Sequence, residues 1–110
     1  MTTYYEPTEP EWFEAAQQFS AAVDSNERDF KVGRCAAVDF TESALFSRPM
    51  YQDADDAQPI FTGSKGKAAV IEETFIEHAI QRYQDRCLNE KIGGGPQSGE
   101  PDHVVYVVRW

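Results

Sequence analysis

Apolar and polar positions recur along this chain with two periods, and the changes of period mark its elements. Trp12, Ala15, Ala16, Phe19, Ala22 and Val23 return at three- and four-residue intervals, with Glu11, Glu14 and Gln18 falling on the other side. Ahead of them, Thr8-Glu9-Pro10-Glu11 combines a threonine cap, a proline in the first turn and a glutamate three residues after the cap. The spacing predicts a helix from about Glu9 to Asp24. Phe30, Val32, Ala36, Val38 and Phe40 then share one face at period two, which predicts a strand over Phe30–Phe40. Arg34 interrupts that face, at a bulge or at the rim of a sheet.

Thr41-Glu-Ser reads as a turn, Ala44–Ser47 as a returning strand that stops before Pro49, and Pro59–Thr62 as a further short strand. A broad stripe of Val70, Ile71, Phe75, Ile76, Ala79, Ile80, Tyr83 and Cys87 predicts a second long helix over Lys65–Lys91. Thr62 or Ser64 caps it, and Gly93-Gly-Gly-Pro stops it. Gly93–Asp102 reads as a flexible connector. His103–Trp110 is apolar on both faces, the pattern of a central strand or of one with a face in a partner interface.

The order is (β)αββαβ, the first strand being Thr2–Glu6 if that segment pairs. This predicts one small α+β domain over residues 1–110, with an antiparallel or mixed sheet and two helices on one face. With the first strand paired, the arrangement is the ferredoxin-like split βαβ.

Composition supports a globular reading. At 110 residues with 41% hydrophobic side chains, the chain can fill one core. No apolar run reaches membrane-span length, and Met1–Glu6 lacks the basic and apolar segments of a signal peptide. Two distant cysteines, Cys35 and Cys87, fit reduced thiols and a cytoplasmic location, although sequence leaves their pairing open.

Charge changes the picture more. The net charge is −9, and residues 1–29 set seven acids against Arg28 alone. Asp53, Asp55 and Asp56 supply the rest of the imbalance, so two acidic stretches ride on a neutral remainder. Such a surface disfavours nucleic acid and anionic membranes and attracts basic partners.

Few residues carry recognisable chemistry. A calcium loop starting at Asp53 would need ligands and a glycine where Ala57, Gln58 and Ser64 stand. A phosphate loop around Gly66-Lys67 would need glycine at Phe61 and a hydroxyl at Ala68. Cys35, His78, Cys87 and His103 have no metal-ligand spacing, so neither metal nor cofactor is expected. A nucleophilic site would rest on Cys35 meeting His103 across two strands.

The expectation is a binding module rather than an enzyme. Glu6, Glu9, Glu11, Glu14, Tyr51, Asp53, Asp55 and Asp56 are its partner-binding residues, with the three aspartates all exposed. They would dock on a basic protein such as a nuclease or other nucleic-acid-handling protein, as an inhibitor that mimics nucleic acid. Phage anti-defence proteins and bacterial immunity proteins share this size and charge, which is an analogy only. The alternatives are a small dimeric α+β enzyme or ligand binder, with the last strand at its interface, and a structural subunit of an assembly.

Overall fold

The computed structural model describes residues 6–24, 27–89 and 101–110. Helix α1 spans Glu9–Val23, starting as its cap predicts. Thr8 Oγ1 accepts from the Glu11 amide at 3.4 Å, and Glu11 Oε1 accepts from the Thr8 amide at 2.9 Å. Strand β1 (Phe30–Ala36), short helix α2 (Glu42–Phe46), strand β2 (Asp56–Ser64), helix α3 (Lys65–Arg82) and strand β3 (Asp102–Arg109) follow. The protein is α+β. No helix among the described residues is long and apolar enough to cross a membrane.

The sheet has the order β1-β3-β2, and β3 runs antiparallel to both neighbours. β1 and β2 are therefore parallel to each other and separated by β3, so they form no hairpin. The described strands thus depart from the ferredoxin-like order. Residues 2–5 of the candidate first strand lie outside the described residues, and Glu6 is exposed and non-regular.

α1 and α3 cover one face of the sheet. Ala15, Phe19 and Ala22 meet Ile71, Phe75 and Ala79 over Val32, Val105 and Val107. The link from β1 to β2 crosses the other face, where Leu45 and Tyr51 pack on Cys35, Val104, Tyr106 and Val108. This crossover explains why Ala44–Ser47 is not a strand. The Thr41 hydroxyl caps a single helical turn, accepting from the Ala44 amide at 3.1 Å. That turn buries Leu45 and half-buries Phe46 as a lid on the sheet. β1 likewise stops at Ala36, and Val38 points to solvent in a 3-10 turn.

α3 is shorter than its apolar stripe, because the chain beyond Arg82 serves the open edge of β1. The Leu88 amide donates to the Phe30 carbonyl at 2.8 Å, and the Phe30 amide donates to the Arg86 carbonyl at 2.9 Å. The Asn89 carboxamide then satisfies both backbone groups of Val32, at 2.9 and 3.0 Å. These bonds close a strand edge that would otherwise invite pairing with another chain. The Gly93–Pro96 stop lies outside the described residues, as does most of the 93–102 connector. Its end, Pro101, accepts from the Lys65 amide at 2.9 Å.

β3 is buried from His103 through Val108, covered on both sides by its own chain. It is the central strand its apolar pattern predicts, and it offers no face to a partner.

Candidate functional site

The acidic loop is engaged within the chain. Asp56, the first residue of β2, lies opposite Arg109 in the β2–β3 register. It accepts from Arg109 Nε and Nη2 at 2.7 and 2.9 Å, the forked geometry that suits guanidinium and carboxylate. Arg109 also donates to the Ala22 carbonyl at 3.2 Å, tying the end of α1 to the sheet. Asp55 pairs with Arg28, whose Nε holds the Trp110 carbonyl at 2.7 Å. Asp53 remains exposed, with no ion pair among the described residues.

Two sequence assignments change here. Tyr51 is 3% exposed, so it belongs to the core rather than to a docking surface. Its hydroxyl lies 3.0 Å from that of Tyr106. Asp56 is only part-exposed and cross-braces β2, β3 and α1, so it is not one of three free aspartates.

The other acidic stretch runs from the middle of β2, beside Glu14, toward its far end, where Glu11 reaches Lys67; the strand itself is about 26 Å long at the usual rise per residue. Glu11 is inside the capping box and also pairs with Lys67 at 3.0 Å. The Thr8 amide and the Lys67 ammonium hold its carboxyl down at about 2. Glu6, Glu9 and Glu14 are exposed and have no ion pair among the described residues.

Among these carboxylates stands Phe13, 66% exposed. It lies half a helical turn from Ala15 and Ala22, so the rotation that buries those residues turns Phe13 outward. Glu9, Ala16, Gln17 and Ser20 share its exposed face. The signal for Phe13 is present in the helical spacing, but an aromatic beside Trp12 is easily read as core.

The flank of α1 faces β2 across a groove of about 400 Å³, lined by Glu11, Glu14, Gln18 and Pro59 through Thr62. Polar links close both ends. Gln58 Nε2 donates to the Gln18 carbonyl at 3.3 Å, and Lys67 pairs with Glu11.

The sequence-level chemistry does not assemble. Cys35 lies among Leu45, Tyr51 and Tyr106, whereas Arg34 and His103 point to the opposite face of the sheet. Burial pushes the Cys35 thiol up, with Arg48 opposing it, so the reactive thiolate is disfavoured. Burial likewise raises Cys87, and both cysteines are free. No cluster of three or more metal-ligating side chains occurs among the described residues.

A buried charged group does assemble where Arg34 interrupts β1. Arg34 Nε donates to Glu72 Oε1 at 3.1 Å, and Arg34 Nη1 approaches His103 Nδ1 at 2.8 Å. Arginine can only donate, so Nδ1 accepts and His103 is the neutral imidazole with its proton on Nε2. Burial raises the Glu72 carboxyl, while Arg34 pulls it back. On the other face, Gly33 makes room for the tyrosine pair: a Cβ there would stand 2.7 Å from Tyr51 Oη. Burial raises both hydroxyls, which keeps them protonated.

Comparison with protein-family models, with curated proteins and with solved structures finds no match to this chain.

Proposed function

We propose that the chain is a protein-binding module whose α1 face docks on a basic protein surface. The supporting observation is Phe13, 66% exposed on the same helix face as Glu9, a carboxylate with no ion pair among the described residues. An exposed aromatic with a carboxylate beside it suits an interface centre with a charged rim, and a rigid helix holds it ready. The natural counterpart is a groove that handles nucleic acid, where carboxylates take the place of phosphates and the module acts as an inhibitor. The 53–56 loop contributes less to this reading than its sequence suggests, since Arg28 and Arg109 engage two of its three charges.

The test is affinity capture with wild type and with the Phe13→Ala variant, followed by a salt series on the recovered protein. A single stoichiometric basic partner is expected. Its affinity should fall about thirtyfold on losing a central aromatic contact of about 2 kcal/mol, and should weaken as salt rises. A partner held equally by Phe13→Ala, and insensitive to salt, would overturn the proposal.

A further inference from the structure

The groove between α1 and β2 has a chemistry that selects its guest. Its floor is Pro59, Ile60 and Phe61, and its α1 wall carries Glu14 and Gln18. Glu11, at the end of that wall, is already held by Lys67, so Glu14 is the wall's carboxylate without an ion pair among the described residues. β2 is an edge strand, and at Pro59 it has no N–H to offer. A guest that donates hydrogen bonds matches the Glu14 carboxylate on the facing wall. Ile60 and Phe61 are nearly buried beneath the exposed Pro59, so the guest needs an apolar stem to lie along Pro59 and a positive head to reach Glu14. Lysine and arginine both have such stems. Arginine alone adds a flat, weakly hydrated guanidinium whose several N–H groups can reach more than one acceptor of the Glu14 and Gln18 wall.

We infer that this groove takes an arginine side chain of the basic partner, its guanidinium on Glu14 and its methylenes on Pro59. The inference rests on the docking reading above, and it places a specificity contact on the β2-facing flank of the same helix. The two polar links, Gln58 to Gln18 and Lys67 to Glu11, fix the spacing of the walls at the two ends of the groove, so the site is preformed.

The test uses the isotopically labelled full chain titrated with an acetyl- and amide-capped Gly-Arg-Gly peptide, followed by amide chemical shifts. Saturable shifts are expected at Gln18 and at Ile60, Phe61 and Thr62. The Gly-Lys-Gly peptide should bind more weakly. Glu14→Gln, an exposed substitution, should weaken the arginine peptide about fivefold, the size of a part-exposed charge pair. Shifts confined to Glu9, Phe13 and Gln17 would overturn the arginine site while leaving the α1 docking face standing. No saturable shift in the groove, or groove binding unchanged in Glu14→Gln, would also overturn it. Capture of the partner through Phe13 is judged separately, so the two readings fail independently.

Discussion

Asp56 and Glu9 are both acidic residues at the start of an element, one opening β2 and the other opening α1. Asp56 is forked onto Arg109 and braces two strands and a helix. Glu9 faces solvent beside an exposed phenylalanine. The difference teaches that charge counted along a chain is not charge presented in space. The 53–56 loop is acidic only until the fold brings Arg28 and Arg109 to it, whereas Glu6, Glu9 and Glu14 keep their field. Glu72 is the extreme of the engaged group and Asp53 belongs with the free one, so the comparison yields a graded series.

The largest expected effect is at Glu72. Its Arg34 partner is 8% exposed, so Glu72→Ala leaves a nearly buried guanidinium without its carboxylate. Losing one member of a buried pair costs about 3 kcal/mol or more. Urea unfolding should show that loss. A shift below about 1 kcal/mol would place Glu72 with the free carboxylates and break the series.

Next comes Asp56→Ala. Arg109 is 14% exposed on its side chain and Asp56 is 44% exposed, so solvent screens part of the pair. The expected destabilisation is about 1–2 kcal/mol, between a buried charged hydrogen bond and a surface ion pair. Asp55→Ala is the control, since Asp55 is 68% exposed and its loss should cost less. Equal costs for the two variants would show that the Arg109 fork has no special place.

The series also explains what was legible beforehand. α1 could be read because cap, proline and period agree locally over a few residues. The central position of β3 could be read because both its faces are apolar. Ala44-Leu45-Phe46 could not, because so short an apolar run fits a strand or a helical turn, and the crossover topology decides between them. The same limit hid the pairings. Arg34 and Glu72 are 38 positions apart, and Asp56 and Arg109 are 53 apart. The interruption of β1 by Arg34 announced a partner without naming it. Tyr51 stands just before the acidic loop in sequence and so groups with it, yet Gly33 opens the pocket that buries its hydroxyl. Of the eight candidate contacts, the described structure leaves Glu6, Glu9, Glu14 and Asp53 exposed and without ion pairs.

A smaller effect separates engaged from free carboxylates by pH. Glu11 sits at about 2 in the folded chain against an ordinary value of 4.5. A lowered folded value means that its contribution is complete above pH 4.5 and is lost as pH falls toward 2. Glu72, raised by burial, works in the opposite sense: its protonation at low pH favours the folded state. Melting temperatures of wild type and Glu11→Gln should therefore differ most above pH 4.5 and converge toward pH 2. A constant offset across that window would mean that the capping box and Lys67 do not hold the Glu11 charge.

The smallest effect on stability, and the sharpest on the comparison, concerns the free carboxylates themselves. Asp53→Asn and Glu9→Gln each remove an exposed charge that has no ion pair among the described residues, so each should change stability by less than about 0.5 kcal/mol. Glu9 opens α1, where a carboxylate also favours the helix dipole, so its variant should lie on the destabilised side of that small range. Their effects on binding should part company. Glu9 shares a helix face with Phe13, and its loss should slow association with the captured partner and flatten the salt dependence. Asp53 lies near the other end of β2, beyond a Debye length of about 10 Å at 0.1 M salt, and its loss should leave association nearly unchanged. Stopped-flow association rates for the two variants, at two salt concentrations, make the measurement. If Asp53→Asn slows association as much as Glu9→Gln does, both ends of β2 face the partner and the docking surface extends past α1 along the whole strand.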